Sequence, residues 1–277
     1  MSSYLTPKEI TQEMVEISKK KVSYNWLTII LLGILGGMFI ALGSELSMMG
    51  TFDLPKFLGT GFSKIMAGSL FSVGLILVVM AGADLFTGNI LIITGVLAKQ
   101  VKVKQMIRNW LIIYFTNLIG ALIIVAIMYY SNLWNTNDYA MGGYALMVAT
   151  KKASLGFWEA LVRGIACNWL VCLGVWLGVA GKDAVSKIIG IYVPVMAFVA
   201  SGFEHAIANM YFLPFGLLMK ANDSVVTASK LGSAVDHLNW YNVIVNNFIP
   251  VTIGNIIGGA LFVGAFYYWI YLKPNKA

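Results

Sequence analysis

Two apolar runs in this chain are too long to be single membrane helices, and each holds one formal charge: Asp84 within Ile65–Leu97 and Glu204 within Ile188–Met219. A helix rises 1.5 Å per residue, and about 20 residues cross the ~30 Å hydrocarbon layer. The 33 residues of the first run would make a rod of about 50 Å. Each run holds glycine beside its carboxylate, so the economical expectation is a helix broken mid-membrane. Irregular backbone is tolerated there only when buried in protein or lining a watery cavity.

The two interruptions match. With a shift of 120 residues, Gly82-Ala83-Asp84-Leu85-Phe86-Thr87-Gly88-Asn89 falls on Gly202-Phe203-Glu204-His205-Ala206-Ile207-Ala208-Asn209. Gly, carboxylate and Asn coincide, while His205 falls on Leu85 and has no twin. Broken helices at corresponding positions of two halves point to a substrate site near the midplane.

With 59% of residues hydrophobic and 11% charged, against about 25% charged in soluble domains, the chain is a polytopic membrane protein. The net charge of +7 is spread over short segments between apolar runs, a topology signal and not a nucleic-acid footprint. Met1 to Lys21 is polar and lacks the apolar core of a signal peptide.

The apolar segments are Trp26–Met49, Ile65–Leu97, Asn109–Trp134, Phe157–Ala180, Ile188–Met219 and Tyr241–Leu272, six in all. Ahead of them, Pro7 to about Tyr24 is expected as an amphipathic helix at the membrane surface. Thr6 caps it, Pro7 suits its first position, and Ile10, Met14, Val15 and Ile17 form its stripe.

Weaker echoes fall in the same order. Lys20-Lys21 and Gly33-Ile34 recur 131 residues later as Lys151-Lys152 and Gly164-Ile165; Asn109, Asn117 and Gly120 recur 138 later as Asn247, Asn255 and Gly258. With three spans per repeat, the second copy must be inverted. With the N-terminus inside, twelve Lys/Arg fall on inner segments and six on outer ones; this bias places both termini in the cytoplasm. The expected layout is a cytoplasmic helix at 1–24, one transmembrane channel domain at 25–272 with repeats at about 25–134 and 155–272, and a cytoplasmic tail at 273–277.

Ionisable groups inside a membrane are expensive and normally face a cavity or one another, so His205 is a candidate for a pore or proton-handling role. Asp84 and Glu204, each just ahead of a half-helix, can hold the loop by accepting from free backbone N–H groups or can contact substrate; Asn89 and Asn209 share that ambiguity. Thr87 can donate to a substrate or lock the loop. The lysine pairs are interface anchors or, one at each mouth, concentrators of small anions. Cys167 and Cys172 fit packing residues, not a disulfide or metal site. Gly33–Gly37, Gly174–Gly178 and Gly254–Gly258 allow close helix approach and say little about activity. No phosphate loop, metal-ligand histidine pair, catalytic array or Asn-Pro-Ala triplet occurs, so neither an enzyme nor a cofactor is expected.

The run Ala83–Asn89 together with Gly202–Met210 resembles the two signatures of the formate/nitrite transporter family, in order and separation, and the resemblance covers nearly the whole chain. It implies an all-α, aquaporin-like protomer of six transmembrane helices, the second and fifth broken, with five protomers per ring and a pore in each. By position it implies that His205 is the central pore histidine and Thr87 its partner, with Asn168, Glu204 and Asn209 nearby. It assigns Phe71, Leu75, Leu85, Val171 and Phe198 to apolar constrictions on either side of the histidine, and Lys20 or Lys21 and Lys152 to the vestibules. The expected activity is a channel in the cell (inner) membrane for small monovalent anions of weak acids such as formate, nitrite or hydrosulfide, with proton linkage left open. The alternatives are a neutral-solute pore of aquaglyceroporin type and a tightly coupled proton/anion transporter.

Overall fold

Helix α1, Pro7–Ser23, begins with a capping box: Thr6 Oγ1 accepts from Glu9 N, and Glu9 Oε2 accepts from Thr6 N at 2.7 Å. Its apolar stripe meets protein instead of a membrane surface. Ile10 and Met14 pack with Leu91, Trp176 and Val263, and Ser18 Oγ lies 3.3 Å from Thr94 Oγ1. The computed structural model describes residues 4–273, helical throughout apart from connections and one isolated bridge between Tyr4 and Gly181. Residues 274–277, with Lys276 and most of the expected tail, lie outside the described residues.

Among the described residues six helices are long and apolar enough to cross a membrane. They are α2 (Trp26–Met49), α3 (Pro55–Gly82), α5 (Val103–Tyr130), α7 (Phe157–Ala180), α8 (Ala184–Ser201) and α11 (Asn242–Tyr271). Two shorter apolar helices follow the loops, α4 (Phe86–Leu97) and α9 (Ala206–Met219). Two amphipathic connectors complete the chain, α6 (Ala140–Ala153) and α10 (Asp223–Ser229).

The long runs therefore divide unevenly. Helix α3 starts at Pro55, ten residues before the apolar run at Ile65, and spans 28 residues with a kink at Gly59, whose φ is +73°. Its proline occupies the first turn, where no N–H is needed. Asp183 likewise starts α8 early, accepting from Ser186 N at 2.9 Å. Helix α5 gains a first turn because Gln105 Oε1 accepts from Lys102 N, and it ends at Tyr130, short of Trp134.

Both interruptions turn on a glycine in the left-handed region, Gly82 at φ +87° and Gly202 at φ +77°. A Cβ there would cost about 1–2 kcal/mol. After each glycine the chain is out of the helix until Phe86 and Ala206.

The two halves have the same neighbours. Helix α2 packs on α3 and α5, as α7 packs on α8 and α11, and α3 meets α8 across the middle. Backbones come very close: a Cβ on Gly120 would strike Ile34 O, and one on Gly258 would strike Ile165 O. Without a hydrophobic drive between helices in lipid, such approach supplies packing that larger side chains could not. The core lies around α9, whose Leu213, Tyr211 and Phe215 are fully buried. Outward faces carry Trp26, Leu27, Leu111, Phe115 and Ile270, all exposed, as a lipid-facing surface does.

Candidate functional site

Each loop between limbs leaves backbone polar groups that an apolar surrounding cannot solvate, and one asparagine serves each loop. Asn117 on α5 accepts from Phe86 N at 2.9 Å and donates to Gly33 O at 2.6 Å and Asp84 O at 3.0 Å. Asn255 on α11 accepts from Ala206 N at 2.9 Å and donates to Gly164 O at 2.8 Å and Glu204 O at 3.0 Å. Only a neutral amide can satisfy an N–H and two carbonyls at once. This explains why the carboxylates do not take the role sketched for them: Asp84 and Glu204 bind side chains, not the free N–H groups of the following helix.

A second matched network holds those carboxylates. Lys21 Nζ donates to Asp84 Oδ1 at 2.5 Å and to Asn89 Oδ1 at 2.6 Å. Asn89 Nδ2 donates to Asn109 Oδ1 at 2.9 Å, and Asn109 Nδ2 returns to Lys21 O at 3.3 Å. In the other half Lys152 Nζ reaches Glu204 Oε1 at 3.0 Å. Asn209 Nδ2 donates to Glu204 Oε2 and to Asn247 Oδ1, both at 2.7 Å, and Asn247 Nδ2 returns to Lys152 O at 3.0 Å. Both carboxylates are buried and each is paired with a lysine, which makes the burial tolerable. Both Glu204 oxygens are hydrogen-bonded, whereas Asp84 Oδ2 has no partner among the described residues.

The loops differ where the sequence does. His205 sits at the N-cap of α9, its Nδ1 accepting from Ala208 N at 3.0 Å. Leu85, at the equivalent cap of α4, has no side-chain bond to offer. The other face of the histidine ring reaches across the halves, with Nε2 2.9 Å from Thr87 Oγ1. The ring also stacks near Phe198 at 5.8 Å, and Phe198 meets Phe71 edge-on at 5.6 Å. Thr87 is held from behind: its carbonyl accepts from Asn168 Nδ2 at 3.2 Å and from Cys172 Sγ at 3.4 Å, while Asn168 Nδ2 also donates to Asn255 O.

Two cavities approach this pair. One, of about 460 Å³, is lined by Phe71, Phe198, His205, Glu204 and Lys152. The other, of about 260 Å³ on the α1 side, is lined by Leu75, Leu85, Asp84, Asn89 and Lys21. Thr87, Asn168, Val171 and Asn209 line neither and are buried. Lys20 is exposed and outside both cavities, so of the two N-terminal lysines it is Lys21 that turns inward. Lys152 hangs from α6, a helix too short to span and so absent from an expectation built on long apolar runs. Cys172, expected as packing alone, also supports the Thr87 carbonyl. Among the described residues no group of three or more His, Cys, Asp and Glu could hold a metal ion.

The family model for formate/nitrite transporters matches residues 8–269. The chain belongs to the formate/nitrite transporter family. It is 39% identical over 277 residues to the uncharacterized transporter YrhG of Bacillus subtilis, covering 99% of this chain and 97% of that one. It is also 39% identical to the formate channel FocA of Escherichia coli, covering 98% and 96%. A solved pentameric formate channel with formate bound superposes with a TM-score of 0.78 at 36% identity, over 88% of this chain and 97% of its own.

Proposed function

We propose that this protein is a membrane channel for formate and related small monovalent anions of weak acids, nitrite and hydrosulfide included. The observation that carries this reading is the buried His205–Thr87 bond between two cavities, each with an inward lysine. An anion reaching either cavity meets Lys21 or Lys152, which raise its local concentration. Beyond them stand Leu75 and Leu85 on one side, Phe71 and Phe198 on the other, with Val171 between. Carrying a bare charge past such groups costs several kcal/mol or more, so hydrated ions are rejected and the anion needs hydrogen bonds or a proton at the centre.

The hydrogen bonds define what the centre offers. Ala208 N–H points at His205 Nδ1, so Nδ1 accepts and the ring hydrogen resides on Nε2, donated to Thr87 Oγ1. The Thr87 hydroxyl hydrogen is then left to donate to a passing oxyanion. An imidazolium would set two N–H groups against each other at Nδ1, so protonating the ring requires opening the cap of α9. Proton linkage, if used, works through that opening.

The matched networks support a duplicated three-span unit, and with three spans per copy the second lies inverted. The chain assembles as a homopentamer in the inner membrane with both termini cytoplasmic, as the pentameric relative and the lysine bias support.

Flux of formate, nitrite and hydrosulfide into proteoliposomes tests the reading, in wild type, His205→Ala and Thr87→Val. Both variants should lose formate flux or its pH dependence; unchanged flux and pH profile in both sinks the central pair. Saturating flux without channel conductance would favour coupled transport, and glycerol flux without anion current a neutral-solute pore.

A further inference from the structure

The two cavities are electrically unequal. The 260 Å³ cavity holds one cation, Lys21, against one carboxylate, Asp84, and these are bonded to each other. The 460 Å³ cavity is lined by Lys64, Lys151, Lys152 and Arg163 against Glu204 alone. Lys152 is bonded to Glu204, and Arg163 pairs with Glu159 along its own helix. Among the described residues Lys64 on α3 and Lys151 on α6 have no carboxylate within bonding reach; both are exposed, and both line the same cavity. A volume of 460 Å³ corresponds to a radius of about 5 Å, inside the ~8–10 Å Debye length at physiological salt, so salt screens the two ammoniums only in part at the cavity centre.

We infer that this cavity is a binding site for small polyvalent oxyanions of the phosphate, sulfate and pyrophosphate class, which enter from the face opposite α1 and plug the pore. The inference rests on the channel reading. Accumulation follows a Boltzmann factor whose exponent is the ion's charge. If the free lysines concentrate a monoanion about fivefold, they concentrate a dianion about twenty-five-fold. The apolar stretch below, Phe71 against Phe198, then stops the ion, because each further unit of charge multiplies the penalty of desolvation. A monoanion is attracted and passes; a polyanion is attracted more and stays. The opposite cavity has no spare cation and should hold neither strongly.

Inorganic pyrophosphate, which does not cross bilayers, tests this in proteoliposomes holding fewer than one channel each, in random orientation and at constant ionic strength. Formate flux without pyrophosphate tests the channel reading by itself. External pyrophosphate should stop only the vesicles with the lysine face outward, leaving a plateau near half; pyrophosphate on both sides should stop the rest. Lys64→Gln/Lys151→Gln should lower the uninhibited formate flux by no more than about fivefold and require at least fivefold more pyrophosphate to halve the flux that remains, while Lys64→Arg/Lys151→Arg keeps the wild-type flux and sensitivity. Complete block from outside alone, no block from either side, or undiminished sensitivity in the Gln pair would each overturn the proposal. If the Gln pair carries no flux, pyrophosphate binding to the purified Gln pair in detergent decides: wild-type affinity refutes the site and a fivefold loss supports it.

Discussion

Replacing Asn255 by leucine keeps the side-chain volume close and removes three hydrogen bonds, to Ala206 N, Gly164 O and Glu204 O. Two estimates of the penalty differ enough to be told apart. Interhelical hydrogen bonds in membrane proteins are worth about 0.6 kcal/mol each on average, which gives about 2 kcal/mol for three. Three polar groups sealed away without partners forfeit about 1–3 kcal/mol each, which gives about 3–9 kcal/mol. Asn255 is fully buried and its three partners are backbone groups fixed by their own helices, so the larger range is expected. Asn255→Asp should be worse still, because it keeps the acceptor for Ala206 N but turns an oxygen toward both carbonyls. Unfolding in mixed detergent micelles, followed by circular dichroism against denaturing detergent, measures the difference. Asn117→Leu should match Asn255→Leu within about 1 kcal/mol, since it breaks the corresponding three bonds. A loss below about 1 kcal/mol for Asn255→Leu would refute the claim that this amide holds the loop.

Lys152→Met strands the buried Glu204 carboxylate without its cation and should destabilise by about 3–5 kcal/mol in the same assay. Lys152→Met/Glu204→Gln should regain most of that, and a double variant no more stable than the single would refute the pairing argument. Gly202→Ala and Gly82→Ala should each lose about 1–2 kcal/mol from left-handed backbone alone, because an added Cβ meets nothing within 4 Å at either position; clearly unequal losses would point to a different cause.

Much of this arrangement was legible before any coordinates. Six spans followed from six apolar runs, and the polar octets marked the loops because a carboxylate in such a run needs a built surrounding. What the sequence pattern could not supply was partnership. Asn117 and Asn255 were visible as echoes 138 apart, yet their work on the loops depends on contacts between helices distant in sequence. The start of α3 at Pro55 was hidden because Lys56 and Lys64 interrupt the apolar run and Gly59, at φ +73°, kinks the helix between them. Helix α6 was missed because 14 residues do not span a bilayer and its burial is tertiary, against α9. The choice between Lys20 and Lys21 is one of helix face: Lys21 faces Asp84, and the neighbouring residue is turned about 100° away.

The docking of α1 carries a consequence for the order of biosynthesis. Its stripe rests on Leu91, Trp176 and Val263, the last of which follows Ser23 by 240 residues. At about 5–20 residues per second that partner is made roughly 12–50 s after α1 itself. Through that interval Ile10 and Met14 have an incomplete protein surface to meet, and the lipid headgroup layer is the adjoining place that accepts an amphipathic helix. In the finished fold the stripe meets protein, so the surface position expected from its amphipathic pattern does not hold. Because Val263 lies in the final helix, the full contact set of α1 is available only once that helix is in place.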